Sequence, residues 1–196
     1  TVTMTASEDI VTPVCSFSSG GASIPAVRVL PATDSGDTLG TTWTCAFTCA
    51  GADTNGAVGF SISYMDIADN AATTTASTDG SAVTFDKTLP ALTSVAVSAA
   101  GTAATHAKAG DAVTLTLVAD EAVKAPTCVL QSGGQPVAAS VVVSDSGDQD
   151  PKTWTCTVQM GAGDAEGDVG FSVAFSDTAE NAGVPVTAVT GSGAGT

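Results

Sequence analysis

Five cysteines and a single histidine are the residues of this 196-residue chain best suited to covalent or metal chemistry. Four of the cysteines occupy two matched positions, Cys15 with Cys128 and Cys45 with Cys156. Pairing within each half gives Cys15–Cys45 and Cys128–Cys156, closing loops of about 30 residues that would each contribute roughly 3 to 4 kcal/mol in the chain-entropy model. The alternative is four buried thiols; the positional duplication and the turn-rich surroundings favour the pairs. Metal ligation by these groups is disfavoured, since no Cys-x-x-Cys spacing exists and His106 is the only histidine. Disulfides imply an oxidising, extracellular compartment. Cys49 is left over. Its counterpart is Met160, so one reading is an apolar filler in the strand that begins at Trp43, and the other is a thiol for an intermolecular disulfide.

The elements that must hold these cysteines come in two copies. Thr42-Trp-Thr-Cys45 returns as Thr153-Trp-Thr-Cys156, Val58-Gly-Phe-Ser61 as Val169-Gly-Phe-Ser172, and Asp66-x-Ala-x-Asn70 as Asp177-x-Ala-x-Asn181. The displacement is constant, so Asp148–Asn181 is a second copy of Asp37–Asn70. Thr1–Ala6 alternates polar and apolar residues as a half-buried strand does, and corresponds to Thr114–Ala119. In the second copy an extra strand, Leu92–Ser98, and the turn Ala109-Gly-Asp111 come before it; the first copy has neither. The first module therefore lacks its N-terminal strand. The expectation is either an excerpt of a longer array or a subunit whose missing strand comes from a neighbour.

Each copy reads as about seven short strands, with no convincing helical period anywhere. Beyond those already named, the strands fall at Val14–Phe17 and Thr127–Leu130, around Ile24–Leu30 and Val137–Val143, and at Thr73–Thr78 and Val186–Thr190. Asp-rich turns fall at Thr33–Asp37 and Ser144–Asp150. Within the Trp-Thr-Cys strand, Trp43, Cys45 and Phe47 share one face. The linker Phe85-Asp-Lys-Thr-Leu-Pro90 divides the chain into modules 1–89 and 90–196. Hydrophobic residues make up 43%, mostly Ala and Val with two Trp and one Tyr, so the cores should be thin and β-branched. A net charge of −15 argues against nucleic acid or an anionic membrane as partner, because both require clustered Lys and Arg. No apolar run is long enough for a membrane-spanning helix.

Ala109-Gly-Asp-Ala-Val-Thr-Leu-Thr116, the Phe60-Ser-Ile-Ser-Tyr-x-Asp-x-Ala-x-Asn70 run and the linker Asp79-Gly-Ser-Ala-Val-Thr-Phe-Asp-Lys-Thr-Leu-Pro90 resemble bacterial-type Ig-like repeats, modules of long multi-repeat cell-surface proteins. The resemblance covers nearly the whole chain and implies two tandem Ig-like antiparallel β-sandwiches, the first lacking its N-terminal strand. Two features depart from the family: the usual Gly before Asn in the Asp-x-Ala-Gly-Asn turn is Asp69 and Glu180 here, and the cysteine pair is not general to it. The chain also differs from antibody domains, because Trp43 and Trp154 stand two residues before the second cysteine.

An Ig-like topology would bring Asp120, Glu121, Asp177, Glu180 and Asn181 towards the linker residue Asp86, a set of oxygen ligands suited to calcium at the module junction. Against this, Asp and Asn are ordinary turn residues that bond their own backbone. Asp164-Ala-Glu166-Gly-Asp168 lacks the order of an EF-hand and reads as a hairpin turn. Gly191-Ser-Gly-Ala-Gly195 has no following helix and no nearby Lys, so it reads as linker. His106 has no partner in any catalytic motif, no paired carboxylates suit acid–base work, and nothing argues for an enzyme. The expected role is an extracellular structural module of a stalk, filament or appendage coat, such as a flagellar hair, whose partners are neighbouring modules or identical subunits. The other readings are an adhesin segment that binds glycan or protein through its loops, and an accessory domain of a secreted hydrolase.

Overall fold

The computed structural model describes residues 1–36, 40–101, 104–145, 147 and 151–187. The expected strand end at 188–190, the glycine-rich stretch 191–195 and parts of both Asp-rich turns, including Asp37 and Asp148, lie outside them. The chain divides into two compact units, Thr1–Lys87 and Thr88–Thr196. Both are all-β sandwiches of antiparallel sheets, and no α-helix occurs among the described residues.

Unit 1 contains β1 (Val2–Thr5), β2 (Val14–Ser19), β3 (Ala22–Ser23), β4 (Val29–Asp34), β5 (Thr42–Phe47), β6 (Gly56–Met65), β7 (Ala71–Thr74) and β8 (Thr84–Phe85). One sheet has the order β1-β5-β4 and the other β3-β2-β6-β7, with β8 also paired to β6. The Ile24–Leu30 stretch is not one strand, because Pro25 lacks the N–H a ladder needs; a short 3-10 turn at Ala26–Arg28 intervenes before β4. Thr33 and Asp34 belong to β4 and not to a turn, beyond a register shift at Pro31. Between the sheets lies a small core of Phe17, Ile24, Cys45 and Ile62, with the rings of Phe17 and Phe47 4.8 Å apart.

Unit 2 contains β9 (Leu92–Ala99), β10 (Ala112–Ala119), β11 (Thr127–Ser132), β12 (Gln135–Pro136), β13 (Val142–Asp145), β14 (Thr153–Gln159) and β15 (Val169–Ala174). Its sheets have the orders β13-β14-β10-β9 and β12-β11-β15. Strict alternation in β10 buries Val113, Leu115, Leu117 and Ala119, and β14 answers with Trp154, Cys156 and Val158. The registers of the two units coincide: Met4 opposes Trp43 in β1–β5, and Leu117 opposes Trp154 in β10–β14.

The β2–β3 hairpin of unit 1 and the β11–β12 hairpin of unit 2 are held by the same device. Buried Ser19 and Ser132 donate from Oγ to the carbonyls of Thr54 and Ala165, both at 2.7 Å. The next residue, Gly20 or Gly133, has positive φ and lies against the backbone of Gly56 or Gly167. A Cβ on Gly133 would stand 2.5 Å from the Glu166 carbonyl oxygen, whereas one on Gly134 would meet nothing within 4 Å. Gly134→Ala should therefore cost only the left-handed penalty of about 1 kcal/mol, and Gly133→Ala about 3 kcal/mol once the clash is added. Urea unfolding of the two variants measures the difference.

Candidate functional site

In each unit a disulfide crosses the sandwich. Cys15 on β2 is bonded to Cys45 on β5, and Cys128 on β11 to Cys156 on β14, with Cα separations of 6.2 and 6.4 Å. Cys45 and Cys156 are completely buried. Alternation along the strand puts each cysteine on the same inner face as the tryptophan two residues before it, so each bond lies in the core beside an indole. Trp43 donates its Nε1 hydrogen to the Gly40 carbonyl at 2.8 Å; among the described residues Trp154 has no such acceptor. Cys49 is not the buried filler expected of the Trp43 strand: β5 ends at Phe47 and the Cys49 thiol is free and exposed. Its counterpart Met160 is buried because its N–H and carbonyl bond Asp111 and Gly110, a segment without counterpart in residues 1–87.

The strongest polar contact of unit 1 is Arg28–Asp53, which sequence reading did not single out. Arg28 leaves the 3-10 turn and donates to both Asp53 carboxylate oxygens, at 2.5 and 2.7 Å, and to the Thr48 carbonyl at 2.6 Å. The Ala50 N–H also donates to Asp53, and Lys87 Nζ donates to the carbonyls of Gly51 and Asp53. The Arg28 hydrogen bond, followed by that from Ala50, lowers the Asp53 pKa to about 2. In unit 2 the matching Asp164 is served by backbone alone, from Gly161 at 2.8 Å and Ala138 at 3.1 Å. The Asp164–Asp168 stretch is a turn built on that carboxylate. Only pairing in space identifies Arg28, since nothing in its sequence neighbourhood marks it.

The residues expected to ligate calcium lie in the connections outside the named strands. Asp177 is buried and accepts from the Asn181 N–H and Nδ2, each at 2.8 Å. Glu180 pairs with Lys124 at 2.8 Å, and Asp120 accepts from the Ala91 N–H at 2.9 Å. Carboxylate oxygens of Glu121 and Asp177 lie within 4.8 Å of one another in unit 2. In unit 1, Asp86 accepts from Asn55 Nδ2 at 2.9 Å. The equivalent turn there has Asp66 accepting from the Asn70 side chain and N–H and, more weakly, from the Ala68 N–H, which together lower its pKa. Asp69 and Glu180, standing where the resembling family has glycine, take φ of 67° and 71°. His106 is exposed and lies 3.0 Å from the Thr105 hydroxyl.

Unit 1 also contains a cleft of about 930 Å³ between its two sheets, opening beside β1. Val2, Met4, Phe47, Phe60 and Tyr64 line it, and all are half-buried. Compared with known proteins, the chain matches no protein-family model and no curated sequence.

Asp53 has a depressed folded-state pKa, so its contribution is present above the unfolded value near pH 4 and is lost as pH falls from about 4 to about 2. Arg28→Ala should destabilise unit 1 at neutral pH and flatten that acid limb, as followed by unfolding at a series of pH values. Asp69→Gly should relieve a left-handed backbone and stabilise unit 1 by about 1 kcal/mol in the same assay.

Proposed function

We propose that this chain is a load-bearing stretch of an extracellular protein, with Ig-like modules repeated along a stalk, filament or appendage coat. The observation that carries this reading is the disulfide repeated at matched positions across two successive sandwiches. Each bond joins two strands that belong to different sheets, so it keeps the sheets from separating and withholds the enclosed loop from extension. Proteins of oxidising compartments carry such bonds. The strongly acidic surface, net −15, supports solubility of a long array and offers no basic patch for nucleic acid.

Two measurements test the proposal. Antibodies raised against this chain should label intact, unpermeabilised cells of the source organism, in a pattern that follows a surface structure; label confined to the cell interior would refute it. In single-molecule stretching, the loops spanning 30 and 28 residues should be withheld until reductant is added. Reduction should then lengthen the extension of each unit by about 100 Å. Extension unchanged by reductant would remove the mechanical argument.

A further inference from the structure

We propose that Asn55–Gly56 is a self-modifying site, at which loss of the Asn55 side-chain amide unties residues 84–87 from the body of unit 1. Asn55 acts as a clamp. Its Nδ2 donates to Asp86 Oδ1 at 2.9 Å, and its Oδ1 accepts from the Lys87 N–H at 3.2 Å. Lys87 reaches back to the same loop through Nζ, which donates to the carbonyls of Gly51 and Asp53. Immediately before these residues, β8 pairs with the start of β6, Gly56 opposite Phe85 and Ala57 opposite Thr84. One asparagine side chain thus joins stretches 31 positions apart.

The next residue makes that side chain labile. Glycine carries no Cβ beside its own nitrogen, so the Gly56 nitrogen can approach the Asn55 Cγ unhindered. Packing imposes this glycine, because a Cβ there would stand 2.9 Å from the Gly20 Cα. The other two asparagines, Asn70 and Asn181, precede alanine, and the unit 2 residue matched to Asn55 is Glu166. The Gly56 nitrogen, its proton removed, attacks Cγ. An N–Cγ bond forms, the Cγ–Nδ2 bond breaks, and Nδ2 takes up a proton and leaves as ammonia. Water then opens the cyclic imide to aspartate or isoaspartate. Water is the only co-reactant, and nothing is oxidised or reduced.

The product reverses the clamp. A donor to Asp86 becomes a second carboxylate facing it, and like charges that close repel. Strand pairing also times the reaction. The Val58 N–H donates to the Val83 carbonyl at 2.8 Å, and the next hydrogen-bonded pair of this antiparallel ladder is Gly56 with Phe85. While β8 is paired, the attacking nitrogen is held in the ladder; opening of β8 releases it, and the acid that results keeps β8 open. The site lies within unit 1 and does not depend on the mechanical role.

The test incubates the full chain in mildly alkaline buffer, folded and in urea, and follows each asparagine by peptide mass mapping. Conversion to aspartate and isoaspartate should be confined to Asn55 in the folded chain, and should run faster there in urea. Amide exchange then reads the consequence. In Asn55→Asp the Val58 N–H should exchange at least about tenfold faster, the loss expected for one hydrogen bond to a charged acceptor, while β5 stays protected. The double variant Asn55→Asp, Asp86→Asn exchanges donor and acceptor across the same contact and should recover the Val58 protection. The proposal is overturned if Asn55 is intact in the folded chain after many half-lives of the unfolded one, or if Asn70 or Asn181 converts as fast. It is equally overturned if folding leaves the rate unchanged, if Asn55→Asp keeps Val58 protected, or if the double variant fails to restore it. None of these results alters the extension that reductant should release, so the two proposals fail separately.

Discussion

One covalent bond ties the two sheets of each unit together, and unit 1 leans on it the more heavily. Sandwiches of about a hundred residues rely on the apolar area trapped between their sheets; in unit 2 valine, leucine and aromatic side chains supply it, and in unit 1 Phe17, Ile24 and Ile62. Among the described residues of unit 1, four form the buried cluster, and one of them is a cysteine of the bond. The disulfide limits the unfolded chain where packing alone would leave little margin. Its location follows from strand alternation: the cysteine and the tryptophan two residues before it must face inward together, which fixes the register of β5 and β14 against their neighbours.

Around that bond the polar groups serve the turns. Carboxylates at Asp66, Asp164 and Asp177 gather backbone N–H groups that a short loop would otherwise leave unpaired. Arg28 and Asp53 are the exception, a side-chain pair doing in unit 1 what backbone does around Asp164 in unit 2. The two units therefore share a skeleton while differing in how one loop is tied.

Much of this architecture was legible because duplication makes alignment internal. Trp43 and Trp154, with their cysteines, announced the central strand of each unit, and regular alternation announced β10 and β6. Elements with weak alternation were less legible. Pro25 and Pro31 break up the stretch after Ile24, and Cys49 lies beyond the end of β5, exposed, where strand alternation no longer applies. The Arg28–Asp53 contact spans 25 positions and belongs to no motif. The cleft of unit 1 was not legible in the sequence; its walls emerge only from the burial of each side chain.

The paired glycines of the hairpins also bear on how such a chain can change over generations. Between the copies, Asp53-Thr-Asn-Gly-Ala57 has become Asp164-Ala-Glu-Gly-Asp168, altering two charges, while Gly56 and Gly167 persist opposite Gly20 and Gly133. A side chain at any of these four would have to displace backbone, and no neighbouring substitution makes room for that. Sequence drift in this chain is thus channelled outward: charge on the loop surface can wander, while the backbone crossing beneath it stays fixed.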